Sequence, residues 1–264
     1  TTRKIGAFST SFWVSIVGGL IFSLYIPYAL HDLQNYSAYL LIINIILGGL
    51  YVVVNVMINA AFAVSNVSLI GTIFSSFAAF TILFSFIFMG ERVSSNQGLA
   101  ILIILAGVFL ATVDFAELKK GNVIGDRGVR IALVAMIGAA LYFTFIRIPI
   151  EKVGWFWANY VSILLFPLVF IYMKIRKIKL ERPNFRNAFW PIIICTILLR
   201  SGDFAYNIGI SRGLTSIVAP IAGAYPTLFA LLGFLVFKDP IKRQQILGIL
   251  VTLIGIVILS IFSI

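Results

Sequence analysis

Long apolar runs separated by short polar connectors occupy the chain from its beginning to its end. Nine such runs lie roughly at 8–30, 38–62, 67–89, 97–115, 129–149, 156–174, 188–210, 214–237 and 244–263. About 20 apolar residues are enough for a helix to cross the hydrocarbon core of a bilayer. The pattern therefore predicts an all-α polytopic membrane protein with nine spans.

Composition agrees with this fold class and excludes an ordinary soluble enzyme. Of 264 residues, 61% are hydrophobic and 11% are charged, whereas soluble domains have about 45–50% apolar and about 25% charged residues. The single cysteine, Cys195, and the single histidine, His31, leave no ligand set for a metal site. We expect an integral multi-pass protein of the plasma or inner membrane, without metal or cofactor.

The basic residues stand in the connectors, where they meet lipid headgroups. The net charge is +11, and its distribution points to the bilayer as partner rather than to nucleic acid. One side of the predicted membrane carries 15 Lys and Arg against 4 on the other. The positive-inside rule then places Thr1 in the cytoplasm and Ile264 outside.

The second half of the chain repeats the first at a constant offset of 148 residues. The polar matches include Asn55 with Asp203, Asn59 with Asn207, Glu91 with Asp239 and Gln97 with Gln245. The second and seventh runs are five spans apart and so cross the membrane in opposite directions, an inverted repeat typical of secondary transporters. We expect a first repeat of four spans at 1–115 and a second of five at 116–264. The counterpart of the fifth run falls before Thr1, so a first helix is expected to be missing.

Short motifs in both halves carry a family resemblance. The first copy reads Asn59-Ala60-Ala61-Phe62-Ala63, Gly90-Glu91-Arg92-Val93 and Leu105-Ala106-Gly107-Val108, and the second reads Gly213-Leu214-Thr215-Ser216, Asp239-Pro240 and Ile254-Gly255-Ile256. Together they resemble the EamA family of the drug/metabolite transporter superfamily. The resemblance implies ten helices in two inverted five-helix halves, a central cavity, and export or exchange of small metabolites. It also implies that Thr1 lies outside, against the charge bias, so both orientations stay open.

Two charged side chains lie within the seventh run. Asp203 is the one acidic residue well inside a run, and Arg200 precedes it by three positions on the same helical face. A charged residue at the middle of a span costs about 2.5–3.5 kcal/mol on insertion and usually faces a cavity or a partner. Arg200 would bind a substrate carboxylate, and Asp203 would hold Arg200 and exchange a proton. The alternative is a purely structural pair.

Polar stripes on two repeat-related helices extend this candidate site. The predicted substrate-binding residues are Thr196, Arg200, Asp203 and Asn207 on the seventh run, Asn44, Tyr51, Asn55 and Asn59 on the second, and the more weakly supported Tyr142 and Tyr225. Asn and Ser stripes also hold helices together by hydrogen bonds, so packing is the competing interpretation. Pro226, Glu91 and Asp239 are predicted hinge or gating residues, although helix caps or connector contacts are the favoured interpretation of the two acids.

Motifs of catalysis or of phosphate binding are missing from the chain, which argues against an enzyme and against direct ATP drive. We therefore expect a secondary transporter that moves a small metabolite, such as an amino acid, by alternating access, with export as the expected direction. Coupling to protons is compatible with Asp203. The alternatives are a hydrophobic-cation or drug exporter and a non-transporting membrane scaffold. Substrate identity and oligomeric state stay open.

Overall fold

The computed structural model describes residues 5–65, 67–112, 126–183, 189–232 and 243–263. Every regular element in these ranges is helical. The α-helices are α1 (Ala7–Phe22), α2 (Ile26–Ala29), α3 (Ala38–Val64), α4 (Val67–Ser75), α5 (Phe77–Met89), α6 (Ser95–Thr112), α7 (Arg127–Phe145), α8 (Arg147–Leu164), α9 (Phe166–Ile175), α10 (Trp190–Arg212), α11 (Thr215–Gly223), α12 (Tyr225–Leu232) and α13 (Arg243–Ile261). Two short 3-10 segments, Ser23–Tyr25 and Leu30–Asn35, flank α2.

Eight helical segments of the described ranges are long and apolar enough to cross a membrane. They are Ala7–Asn35, Ala38–Val64, Leu69–Met89, Ser95–Thr112, Arg127–Phe145, Arg147–Ile175, Trp190–Arg212 and Arg243–Ile261. The predicted all-α polytopic fold is therefore confirmed, and the protein is an integral multi-pass membrane protein. The remaining predicted span, 214–237, coincides with α11 and α12 up to residue 232, and its last part lies outside the described residues.

The chain forms two compact units that do not coincide with its two sequence halves. The first unit combines Thr1–Val64 with Phe145–Arg212, and the second combines Ser65–Thr144 with Gly213–Ile264. Each unit thus takes helices from both halves of the sequence. The predicted repeats are defined by matching residues in the sequence. The two units are defined by which helices pack together.

The first unit is built around an aromatic core on α8 and α10. Phe156 stacks on Phe204 with ring centroids 5.6 Å apart and on Tyr160 at 5.0 Å. Trp157 belongs to the same buried cluster, and its indole N–H donates to the carbonyl oxygen of Ala29 at 2.6 Å. The indole N–H group thus has a hydrogen-bond acceptor in the protein interior, as is usual for a buried tryptophan.

Helix α8 is interrupted within its first half. Gly154 has φ 81° and ψ 164°, a combination that a residue without Cβ adopts at low cost. A Cβ at this position would lie 3.1 Å from Oδ2 of Asp32. The span also breaks at Leu165, directly before Phe166-Pro167 begins α9, as expected for proline in the first turn of a helix.

The second unit depends on a very close crossing of α6 and α13. A Cβ on Gly107 would lie 2.5 Å from the backbone nitrogen of Thr252, and one on Gly255 would lie 2.8 Å from Cγ1 of Ile104. A Cβ on Gly248 would overlap the backbone nitrogen of Ala111. Small residues allow membrane helices to approach this closely, because association in lipid depends on van der Waals contact between backbones.

The second unit also contains two related helix breaks. Ser76 separates α4 from α5, and Ala224 separates α11 from α12, and the two positions differ by the repeat offset of 148. Pro226 follows the second break, but Ala78 stands at the matching place in the first. There the hydroxyl of Ser75 donates to the carbonyl oxygen of Thr72 at 2.8 Å, and such bonds compete with helix continuation.

Side-chain caps begin helices α6 and α7 of the second unit. At α6, Oε1 of Gln97 accepts from the backbone N–H of Ser94 at 2.9 Å, and Oγ of Ser94 accepts from the backbone N–H of Gln97 at 3.3 Å, which is a capping box. At α7, Oδ1 of Asp126 accepts from the backbone N–H groups of Gly128 and Val129. A hydrogen bond from the Ser65 hydroxyl, followed by that from Val129, lowers the pKa of Asp126 below its ordinary value.

The glycine crossing gives a direct stability prediction. Gly248→Ala should lower the free energy of unfolding by about 1–3 kcal/mol, because the new methyl group meets backbone atoms of α6 that cannot rotate away. Gly71→Ala on α4 is the matched control, since a Cβ there has no heavy atom within 4 Å. Thermal unfolding in detergent measures both variants, and equal melting temperatures would contradict the close crossing.

Candidate functional site

The polar stripe of α10 faces the interior of the first unit. Thr196, Arg200, Asp203 and Asn207 are all buried, at spacings of four, three and four residues. Ser211, one turn further on, is exposed. The stripe therefore consists of four polar residues withdrawn from the surface of an apolar helix, and charged groups in that setting need partners from the helices around them.

Arg200 and Asp203 form a buried ion pair. Nη1 of Arg200 donates to Oδ2 of Asp203 at 3.2 Å, and the side chains are 3% and 9% exposed. The hydroxyl of Tyr51, on α3, donates to the same Oδ2 at 2.6 Å. The Tyr51 ring also lies under the guanidinium, 5.5 Å from its central carbon to the ring centroid. One tyrosine thus contacts both charges, through its hydroxyl and through its π-face.

Helix α1 forms a third side of this cluster. Nη2 of Arg200 lies 3.4 Å from Oγ of Ser15. Three residues on, Gly18 faces the arginine stem, and a Cβ there would lie 3.3 Å from Cγ of Arg200. Neither Ser15 nor Gly18 was predicted from the sequence as a site residue. Their spacing with Ser11 gives a small polar face on α1, the signal that could have found them.

Two of the predicted amides on α3 bond along their own helix. Nδ2 of Asn55 donates to the carbonyl oxygen of Tyr51 at 2.9 Å, and Nδ2 of Asn59 donates to that of Asn55 at 2.9 Å. Nδ2 of Asn59 also reaches Oγ of Ser11 on α1 at 3.0 Å. These contacts link α1 to α3, and they leave the role of both amides in substrate binding a prediction.

Two further amides hold α8 beyond its break at Gly154. Nδ2 of Asn207 donates to the carbonyl oxygen of Trp155 at 3.2 Å, and Nδ2 of Asn44 donates to that of Trp157 at 3.2 Å. Asn44 donates as well to the hydroxyl of Tyr36 at 2.6 Å. Asn207 on α10 and Asn44 on α3 thus bind the aromatic segment of α8. These contacts are typical of side chains that pack helices together.

The remaining predicted residues belong to the second unit or lie outside the described ranges. Tyr142 is 1% exposed on α7, where its ring meets Phe143 edge-on at 5.1 Å. Tyr225 and Pro226 form the first turn of α12, directly after the break at Ala224. Asp239 lies outside the described residues.

A cavity of about 270 Å³ opens beside α10 in the first unit. Its walls are mainly aromatic, and the lining residues are Phe22, Tyr25, Trp155, Phe156, Ser201, Phe204, Ala205 and Ile208. It flanks the face of α10 next to the polar stripe, with Phe204 between the two. The cavity and the ion pair are therefore neighbouring features of one helix.

Glu91 is a buried helix cap in the second unit. Its Oε1 accepts from the backbone N–H of Thr215 at 2.9 Å, and its Oε2 accepts from that of Ser216 at 2.7 Å. Glu91 is 8% exposed. A carboxylate at a helix N-terminus satisfies unpaired N–H groups and interacts favourably with the helix dipole. The structure thus gives Glu91 the capping geometry, and its gating role stays a prediction.

This cap predicts a loss of stability in Glu91→Gln. The amide has one acceptor oxygen where the carboxylate has two, so one buried N–H of α11 loses its partner, at a cost of about 1–3 kcal/mol. Glu151→Gln is the matched control, because Glu151 is an exposed residue paired with Arg147 one turn away and such pairs contribute about 0.5 kcal/mol or less. Thermal unfolding in detergent should separate the two variants, and an unchanged melting temperature for Glu91→Gln would contradict the cap.

Comparisons with known proteins agree with this architecture. The EamA-like transporter family matches residues 1–113 and 126–261. A solved structure described as "Crystal structure of protein" is similar with a TM-score of 0.78 at 14% sequence identity, over 97% of this chain and 88% of that one, and at this identity the likeness concerns the fold alone. No curated protein matches. Because the family match covers nearly the whole chain, the chain belongs to the EamA-like transporter family.

Proposed function

We propose that the protein is a secondary transporter that exports a small zwitterionic metabolite, such as an amino acid, unchanged across the plasma or inner membrane. Arg200 binds the carboxylate of the substrate. The observation that carries the proposal is the ion pair of Arg200 and Asp203, buried in α10 and contacted by Tyr51. Membership of a transporter family supplies the class, and this cluster supplies the chemistry.

The burial of both charges within a membrane span supports a functional role for the pair. A buried ion pair adds little stability over an apolar pair of similar volume, because removing both ions from water is costly. Intramembrane ionisable residues are therefore functional candidates by default. Arg200 and Asp203 together present one positive and one negative charge. A zwitterion offers the complementary set, so it binds without leaving a net charge in the membrane.

The repeated sequence supports a mechanism of alternating access. We take 1–115 and 116–264 as two halves inserted in opposite directions, whose exchange of conformation exposes a midplane site to either side in turn. The matching breaks at Ser76 and Ala224 support this mechanism, because interrupted helices supply places where a span bends.

Removal of the guanidinium should abolish transport. In proteoliposomes, Arg200→Ala should reduce amino-acid counterflow by about 100-fold or more, because the substrate carboxylate loses a charged hydrogen-bond partner in a dry site. Since Arg200→Ala leaves Asp203 without its partner, the double variant Arg200→Gln with Asp203→Asn repeats the test without a stranded charge. Arg147→Ala is the control, because Arg147 pairs with Glu151 near the surface. Counterflow equal to wild type in both Arg200 variants, at equal reconstitution, would refute the proposal.

The carboxylate of Asp203 is the proposed site of proton coupling. Asp203→Asn keeps a carbonyl oxygen for Nη1 of Arg200 but cannot release a proton. Counterflow, which needs no net proton movement, should persist at a reduced rate because Arg200 loses its counter-charge, while uptake driven by a pH gradient should vanish. Both rates are measured in the same vesicles, with and without an imposed gradient. Gradient-driven uptake that survives in Asp203→Asn would assign coupling elsewhere.

A hydrophobic-cation exporter is the second candidate. The cavity beside α10 favours it, because aromatic walls attract cations through their π-faces. Arg200 disfavours it by placing a positive charge on the adjacent face of the same helix. Including tetraphenylphosphonium in the counterflow panel distinguishes the two, since saturable exchange of this cation without exchange of amino acids would select the exporter.

A further inference from the structure

We propose that a carboxylate subsite lies between α1 and α10, formed by the Nε–Nη2 edge of Arg200 together with Oγ1 of Thr196 and Oγ of Ser15. The inference rests on the proposed function and assigns the atoms that receive the substrate carboxylate. Its class of ligand is a small molecule with an unhindered carboxylate, such as an α-amino acid.

The guanidinium uses only one of its two sides for the ion pair. Nη1 donates to Asp203 at 3.2 Å, and Nη2 has a long contact of 3.4 Å with Ser15. Nε is buried without a hydrogen-bond partner. The Nε–Nη2 edge consists of two parallel N–H donors, the geometry that binds a carboxylate through both of its oxygens.

An unpartnered buried donor of this kind calls for an explanation. A charged group that lacks its hydrogen bond in the interior is more costly than a neutral one, and neutral groups already cost about 1–3 kcal/mol. Arg200 is 3% exposed, so bulk water does not compensate Nε. A bound carboxylate would satisfy Nε and replace the long contact of Nη2 with a short one.

Thr196 adds a second unpartnered polar group on the same face of α10. It lies one turn before Arg200 on the same face of α10, it is fully buried, and its Oγ1 has no hydrogen-bond partner. A threonine hydroxyl in a helix ordinarily donates to a backbone carbonyl one turn earlier. Thr81 on α5 does so, at 2.9 Å from the carbonyl oxygen of Phe77. The Thr196 hydroxyl is thus available as a third donor for a carboxylate.

Gly18 packs against these residues at the contact between α1 and α10. A Cβ at this position would lie 3.5 Å from Nε of Arg200, 3.4 Å from Cγ2 of Thr196 and 3.3 Å from Cγ of Arg200. A methyl group would therefore stand against the edge to which the carboxylate binds. The distance of 3.3 Å to Cγ of Arg200 is tighter than an ordinary Cβ contact, so Gly18→Ala narrows this edge and requires the arginine stem to shift by about a few tenths of an ångström.

Asp203 and Tyr51 are positioning residues in this arrangement. Oδ2 of Asp203 accepts hydrogen bonds from the Tyr51 hydroxyl and from Nη1 of Arg200. These two bonds fix the orientation of the guanidinium and therefore of its Nε–Nη2 edge. Addition of a substrate carboxylate to the neutral ion pair gives one excess negative charge. The ammonium group of an amino acid, or a proton on Asp203, removes it.

The test compares Gly18→Ala with Gly202→Ala on α10, where a Cβ has no heavy atom within 4 Å. Each purified protein is melted in detergent with sodium acetate, with sodium chloride at the same ionic strength, and with acetamide. Acetate should raise the melting temperature of the wild type and of Gly202→Ala, whereas Gly18→Ala should bind acetate at least about tenfold more weakly. Acetamide should have no effect, because it carries no negative charge.

Each result decides the subsite. Equal stabilisation of Gly18→Ala and wild type by acetate overturns it, as does acetate without effect on the wild type. If Gly18→Ala melts several degrees lower without ligand, Thr196→Val replaces it, since valine keeps the shape and removes the donor. Acetate affinity should then fall about fivefold, and an unchanged affinity overturns the subsite.

Two further readouts separate this inference from the proposed function. Arg200→Lys keeps the charge next to Asp203 but lacks the two-donor edge, so it should raise the KM for amino-acid uptake about tenfold or more with a smaller effect on kcat. Wild-type KM in Arg200→Lys overturns the subsite alone. Absence of counterflow in wild-type vesicles for every amino acid tested overturns the proposed function, and acetate binding then still decides the subsite.

Discussion

The buried ion pair of Arg200 and Asp203 is the constraint around which the first unit is organised. Neither charge is stable in an apolar helix by itself, so surrounding helices must supply partners. Helix α3 supplies the hydroxyl and ring of Tyr51, and α1 supplies Ser15 together with the small face at Gly18. The packing of these three helices is therefore fixed by hydrogen bonds to two charges as well as by shape.

Both units combine interhelical hydrogen bonds with close backbone packing to hold their helices together in lipid. In the first, amides such as Asn44 and Asn207 donate to backbone carbonyls of the interrupted helix α8. In the second, glycines at the crossing of α6 and α13 bring the backbones into direct contact. Interhelical hydrogen bonds in membranes contribute on average about 0.6 kcal/mol each. Several together therefore hold the kinked segment of α8. At the crossing of α6 and α13, Nε2 of Gln244 adds such a bond by donating to the carbonyl oxygen of Leu110 at 3.0 Å.

Helical periodicity explains what could be predicted from the sequence and where prediction stopped. It identified the spans and the stripe of Thr196, Arg200, Asp203 and Asn207, because residues three and four apart share a face. It could not tell which face of another helix meets that stripe, so neither Ser15 nor Gly18 was predicted as a site residue. The cap on α11 by Glu91 joins residues 124 apart in sequence, beyond the reach of a local pattern. The break at Ser76 was missed for another reason, since Ala78 gives no proline signal there.

The helix breaks of the proposed transport cycle follow the sequence repeat, whereas the charged substrate-binding residues do not. The breaks at Ser76 and Ala224 occupy equivalent positions, so both halves retain the same place at which a span is interrupted. The charges do not follow the repeat, because the position equivalent to Asp203 is Asn55 and the one equivalent to Arg200 is Val52. A symmetric pair of charged sites would double the cost of burying ions in lipid without adding a binding mode for one substrate. On the proposed mechanism, a single asymmetric site therefore suffices, and the repeat needs to preserve only the geometry that exposes it to each side in turn.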